Sequence, residues 1–185
     1  NPKKGFLESV RTLATKNNIV LIFDECTSGF RQTFGGLHKM YGVDPDIMIL
    51  GKTLGNGYAI NAIVGREEIM NAVQTTFISS TFWTERIGPT AALKTLEIME
   101  KLKSWEQITS IGESIKEKLI LLADKYSLPI EITGLSALNS FSILSKNWLK
   151  YKTLITQEML KLGYLTNNSV YVCTEHNDDV LKGYE

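Results

Sequence analysis

Two short apolar runs end in residues that can do chemistry. Ile19-Val20-Leu21-Ile22-Phe23 leads into Asp24 and Glu25, and Ile47-Met48-Ile49-Leu50-Gly51 leads into Lys52. Runs of this length, rich in Ile and bounded by turn residues, predict central strands of a mostly parallel sheet, and such sheets bind ligands beyond the carboxyl ends of their strands. An acid and an amine are therefore expected to face one crevice. A lysine that an aldehyde can capture and an aspartate that keeps a pyridine nitrogen protonated are the two groups pyridoxal phosphate chemistry most needs from a protein. Taken singly, each has a plainer reading: Lys52 as a surface lysine at a strand end, Asp24-Glu25 as a helix cap or solvated turn. The pairing is what points to catalysis.

The surrounding pattern supplies elements to position that pair. Phe6, Leu7, Val10, Leu13 and Ala14 recur at helical spacing, and Asn17-Asn18 stops the helix before the first strand. Gly29 to Gly42 is aperiodic and predicts a loop over the crevice, and Asp44-Pro45-Asp46 turns the chain into the second strand. Beyond Lys52, Gly55-Asn56-Gly57 marks a tight turn and Ala59 to Val64 a short returning strand. Glu67 to Val73 reads as helical and Ile78 to Phe82 as extended. A long helix is expected from Gly88-Pro89 to Leu102, and Ser104 with Gln107 forms a capping box for the next.

In that next helix Ile108, Ile111, Ile115, Leu119, Leu122 and Tyr126 make one apolar stripe, read as core. From Pro129 the pattern becomes α+β: strands at Ile130 to Thr133 and Ala137 to Leu144, a helix from Asn147 to Leu162 closed by Gly163, and a strand at Val170 to Cys173. A domain boundary is expected near residue 100.

Composition narrows the function classes. Among 185 residues, 20 basic and 20 acidic side chains cancel, with no Lys/Arg block, so a nucleic-acid partner is not expected. Cys26 and Cys173 lack the spacing of a disulfide scaffold or zinc site, and His38 and His176 have no partners at ligand spacing, so no metal is expected and a reducing cytoplasm fits best. No apolar stretch approaches the roughly 20 residues of a membrane helix. The chain begins Asn1-Pro2 rather than with Met and reads as a piece of a longer protein. Gly51-Lys52-Thr53 matches the end of a nucleotide-phosphate loop, but that motif needs a glycine where Asp46 stands.

The motifs Leu21-Ile22-Phe23-Asp24-Glu25-Cys26-Thr27-Ser28-Gly29-Phe30-Arg31, Pro45-Asp46-Ile47 to Gly51-Lys52, Gly55-Asn56-Gly57-Tyr58, Gly65-Arg66 and Ser80-Thr81-Phe82 together resemble class III pyridoxal phosphate-dependent aminotransferases, in particular the branch similar to glutamate-1-semialdehyde aminomutase. The resemblance is specific over residues 6 to 100 and looser beyond. It implies an α/β fold of the aspartate aminotransferase type (fold type I), with residues 1–100 the later part of the large cofactor-binding domain and 101–185 an α+β small C-terminal domain. It also implies pyridoxal 5'-phosphate as cofactor, with an amine or amino acid as donor and a carbonyl compound as acceptor.

Position by position, the resemblance implies that Lys52 forms the internal aldimine and then carries the proton between the substrate's α carbon and the cofactor's C4′. It implies that Asp24 pairs with the pyridine nitrogen, and that Cys26, where the family usually has Val, packs on the ring face. Thr81 matches the threonine that reaches the partner subunit's cofactor phosphate, which implies a homodimer. Glu25 receives no assigned role, and Arg31 reads as structural. The phosphate cup and the ring-stacking aromatic are expected upstream of residue 1, so the chain alone is not expected to complete a site.

Trp83-Thr84-Glu85-Arg86-Ile87-Gly88-Pro89 departs from the small residues and Asn-Pro usual after the Ser-Thr-Phe, which leaves the substrate open. Two rivals stand beside transamination. One is an intramolecular amino shift using the same Lys52 and Asp24, and the other a non-catalytic fragment keeping the fold.

Overall fold

A computed structural model describes residues 2–184, with the side chain of Tyr184 outside the description. The chain divides into two compact units, Asn1–Ser104 and Trp105–Glu185.

The first unit opens with helix α1 (Phe6–Lys16), which ends at Asn17 and a left-handed Asn18. Strand β1 (Ile22–Asp24) pairs in parallel with β2 (Ile47–Leu50), and β3 (Ala62–Gly65) returns antiparallel to β2. The result is a three-stranded mixed sheet in the order β1-β2-β3, not the mostly parallel sheet expected. Strand β1 is also shorter than its apolar run. The reason lies in Asp46: its carboxylate accepts the Leu21 N–H at 2.8 Å, and the Leu21 carbonyl accepts the N–H groups of Asp46 and Ile47, so the run is tied to the turn before β2 ahead of the regular ladder. Ile19, Val20 and Ile22 are exposed in this chain, whereas central strands bury both faces.

After β3 come a single-turn helix α2 (Glu67–Met70), a 3₁₀ turn (Asn71–Thr75) and an exposed stretch to residue 84. The extended segment expected at Ile78 to Phe82 is absent: no strand pairs with it among the described residues, and residues 81–84 form a turn. Helix α3 (Ile87–Leu102) then packs Ala92 and Met99 with Phe30, Leu50 and Leu54, so the core of this unit lies under the loops that follow β1 and β2. Gly88 makes that approach possible, because a Cβ there would lie 3.1 Å from the Ala59 carbonyl and from Ile60.

The second unit lays helix α4 (Ser104–Lys125) on an antiparallel sheet, β4 (Ile130–Leu135), β5 (Leu138–Ile143) and, after helix α5 (Trp148–Lys161), β6 (Ser169–Tyr171). Ile108 and Ile115 of the predicted stripe are buried with Ala137, Val172 and Leu181, while Tyr126 at its end is exposed. A polar clamp sets the helix on the hairpin. The side-chain amide of buried Asn139 donates to the carbonyls of Gly112 at 2.7 Å and Ser136 at 3.0 Å, and any Cβ at position 112 would collide with the Ser136 carbonyl. Helix α6 (Asp178–Tyr184) was not anticipated, although Asn177 caps it through the Val180 N–H at 3.1 Å. No helix among the described residues is long and apolar enough to cross a membrane.

Candidate active site

Asp24 is the last residue of β1 and stands in register with Ile49 of β2. The Glu25 N–H extends the ladder by one bond to the Ile49 carbonyl, at 2.9 Å, and Lys52 lies two residues beyond the end of β2. Asp24 and Lys52 thus leave the sheet at the same carboxyl edge of adjacent parallel strands. Gly51 is extended, but Lys52 takes the left-handed region at φ 42°, where a side chain is sterically disfavoured, and starts a 3₁₀ turn through Leu54. Buried Leu54 holds that turn to the core.

Gly51 itself has no room for a side chain. A Cβ there would lie 2.7 Å from the Cys26 sulfur and 2.3 Å from the Asn61 side-chain oxygen. The Cys26 sulfur and the Asn61 side chain therefore both pack against the lysine turn, although 35 residues of sequence separate them. The Lys52 ammonium donates to the Thr27 hydroxyl, and Asp24 Oδ1 accepts the Cys26 N–H at 3.0 Å.

Under this edge lies a buried carboxylate to which the sequence had assigned no role. Glu25, 4 % exposed, accepts the Ser28 hydroxyl at 2.6 Å and the backbone N–H groups of Leu37 and His38 at 2.8 Å each, and His38 Nδ1 lies 3.1 Å away. Burial pushes its carboxyl up, but the bonds from Ser28, His38 and Leu37 outweigh that and hold it below the usual carboxylate range. The loop over residues 29–42 is thereby fastened to the end of β1. His38 is buried here against Glu25, although thirteen residues of sequence conceal the partnership. Arg31, also buried, donates from Nε to the Thr27 carbonyl at 2.8 Å, in keeping with a structural reading. A second carboxylate, Asp46, joins Arg11 at 2.9 Å and Arg66 at 3.1 Å besides the Leu21 N–H; that N–H chiefly, with both guanidinium groups, lowers its pKa.

Thr81 stands in the exposed turn 81–84, and its hydroxyl takes no part in the bonds that tie Asp24, Cys26, Thr27 and Lys52 together. What converges at the strand edge is an amine, a carboxylate, a soft half-buried thiol and a hydroxyl, beside a glycine whose missing side chain lets Cys26 and Asn61 pack close. That donor set fits a pyridoxal-type cofactor: the amine for its aldehyde, the carboxylate for its ring nitrogen and the thiol for its ring face.

Comparison with known proteins bears on the family and the fold. The chain is 35 % identical to a 3-aminobutyryl-CoA aminotransferase of Cloacimonas acidaminovorans (strain Evry), over 97 % of this chain and 45 % of that one. It is 29 % identical to a glutamate-1-semialdehyde 2,1-aminomutase of Methanococcus maripaludis (strain C7), over 98 % and 46 %. The chain spans about half the length of the curated relatives it matches. Among solved structures, the FumI protein of Sphingopyxis sp. MTA144 superposes with a TM-score of 0.89 at 21 % identity, covering 96 % of this chain and 44 % of its own. An omega-transaminase from Sphaerobacter thermophilus superposes at 0.86 and 20 % identity, covering 98 % and 46 %. These likenesses establish the type I fold of pyridoxal phosphate-dependent transferases. With residues 1–174 matching the family model described as aminotransferase class-III, the chain belongs to the class-III aminotransferase family.

Proposed function

We propose that the protein is a pyridoxal phosphate-dependent aminotransferase, moving an amino group between an amine or amino acid and a carbonyl acceptor. The observation that carries this reading is the exit of Asp24 and Lys52 from one edge of the parallel β1–β2 pair. When bound, the cofactor supplies the electron sink that makes the substrate's α C–H acidic. Lys52 would hold the cofactor by its aldehyde, and its amine would be the group that moves a proton between the substrate's α carbon and the cofactor's C4′. Asp24 holds the proton on the pyridine nitrogen, and Cys26 packs against the ring. Thr81 would donate its hydroxyl to the cofactor phosphate of a second subunit, and the working form would then be a homodimer. Its exposure in this chain is consistent with that role.

In this reading, residues 1–100 are the later part of the large cofactor-binding domain, residues 101–185 are the small C-terminal domain, and the protein acts in the cytoplasm. The Methanococcus relatives favour a second reading, an intramolecular amino shift by the same two residues. The full-length protein, loaded with pyridoxal phosphate and reduced with borohydride, is expected to carry the pyridoxyl group on Lys52 by peptide mass spectrometry. A label on another lysine, or none, would refute the assignment. Amino transfer to an added keto acid, against rearrangement without any acceptor, separates the two reactions.

A further inference from the structure

Lys52 has a partner that neither its motif nor its proposed chemistry accounts for. Its amine donates to Thr27 Oγ1, across 25 residues of sequence. A lysine side chain has four rotatable carbons, so a single bond to a mobile group would restrain it little. Thr27, however, is fixed from several sides. Its carbonyl accepts Arg31 Nε at 2.8 Å, and the next residue, Ser28, is bonded to buried Glu25 at 2.6 Å. The Gly29 N–H closes the turn on the Glu25 carbonyl at 2.8 Å, and a Cβ at Gly29 would lie 2.7 Å from Leu50, so the turn is pressed onto the end of β2. A β-branched side chain adds a restricted χ1. The lysine is constrained as well, since its left-handed backbone sets the direction in which the side chain departs.

We propose that Thr27 is a positioning residue for the Lys52 amine, an inference that rests on the reading of Lys52 as the cofactor lysine. A hydroxyl suits the task better than a carboxylate. It accepts one N–H and so turns the amine's lone pair away from itself, yet it adds no negative charge to retain the ammonium form. The Glu25 clasp is the support that keeps this hydroxyl in place, so Glu25 acts on Lys52 only through Thr27.

The test follows the capture of pyridoxal phosphate by the cofactor-free, full-length protein, read by absorbance, with the site of capture mapped by borohydride reduction and mass spectrometry. Thr27→Val keeps the shape and removes the acceptor, and capture at Lys52 is expected to slow about tenfold. Thr27→Ser restores the hydroxyl and is expected to stay within about twofold of the unmutated protein. Should the valine variant fail to fold, Thr27→Ala makes the same comparison. Unchanged capture at Lys52 in the valine or alanine variant would overturn the role of Thr27 and leave the lysine assignment standing. A serine variant as slow as valine would overturn it too, because packing of the methyl group would then be the cause. Label absent from Lys52 in the unmutated protein would overturn both assignments at once.

Discussion

The segments Asp24 to Arg31 and Asn71 to Thr84 both carry residues proposed to bind the cofactor, but they are held in opposite ways. The first is nailed down within the chain. Glu25 collects bonds from Ser28, Leu37 and His38, Arg31 braces Thr27, and Phe30 enters the core. The second is exposed throughout, with Phe77 at 95 % and Trp83 at 63 %, and its bonds are mostly short local turns. The contrast separates a segment fastened by buried, long-range bonds from an exposed one held by local turns. Preorganisation matters because a group held in place before reaction needs no ordering at the moment of chemistry.

The largest effect should come from the preorganised segment. Asp24→Ala is expected to lower the amino-transfer rate of the full-length protein by about 10²–10³-fold, the scale for removing one aimed charge from an active site. Circular dichroism should be unchanged, because Asp24 is exposed and its side chain's bond is to the nearby Cys26 N–H. A comparable rate in the variant would break the comparison at its root.

Glu25→Ala tests how that segment is held. It leaves the half-buried donors of Ser28 and Leu37 and the buried donor of His38 without their acceptor, and a loss of about 2–3 kcal/mol in urea unfolding is expected. The same carboxyl predicts a pH dependence with a definite sign. Its folded pKa lies below the unfolded value, so its stabilisation is present in full above about pH 4.5 and is lost as pH falls through the folded value. Asp46 acts in the same direction from its ordinary carboxylate value of 3.8. A melting temperature that falls on acidification, and falls less steeply in Glu25→Gln, sharpens the contrast; parallel curves would count against the clasp.

The smallest change in stability is expected in the exposed segment. Thr81→Ala should leave unfolding within about 0.5 kcal/mol, as for a surface site without packing. If the proposed homodimer holds, it should nevertheless weaken pyridoxal phosphate binding by the full-length protein about tenfold, measured by fluorescence titration. A stability loss as large as that of Glu25→Ala would show the two segments to be held alike.

How much of this was open to reading from sequence depended on the range of the interaction. Helices α3 and α4 follow from Pro89, Ser104 and an apolar period of three to four, and the β2–β3 hairpin follows from Gly55-Asn56-Gly57; all of these are local signals. The shortness of β1 and the burial of Glu25 and His38 were not legible. Each depends on partners 12 to 25 residues away, Leu37 with Glu25 and Asp46 with Leu21, whose approach no local pattern encodes. Asn177 with Asp178-Asp179 was a readable cap for α6 and was missed.

By itself, the order of residues determined that an acid and an amine end two successive apolar runs, because strand length and turn chemistry are local properties of the chain. Only the tertiary structure decided that Thr27 meets Lys52, that Cys26 and Asn61 both pack against Gly51, and that a buried carboxylate fastens the loop beneath them. Those contacts exist because β1 and β2 lie in parallel register, and the pairing of distant strands is settled by the packing of the whole unit.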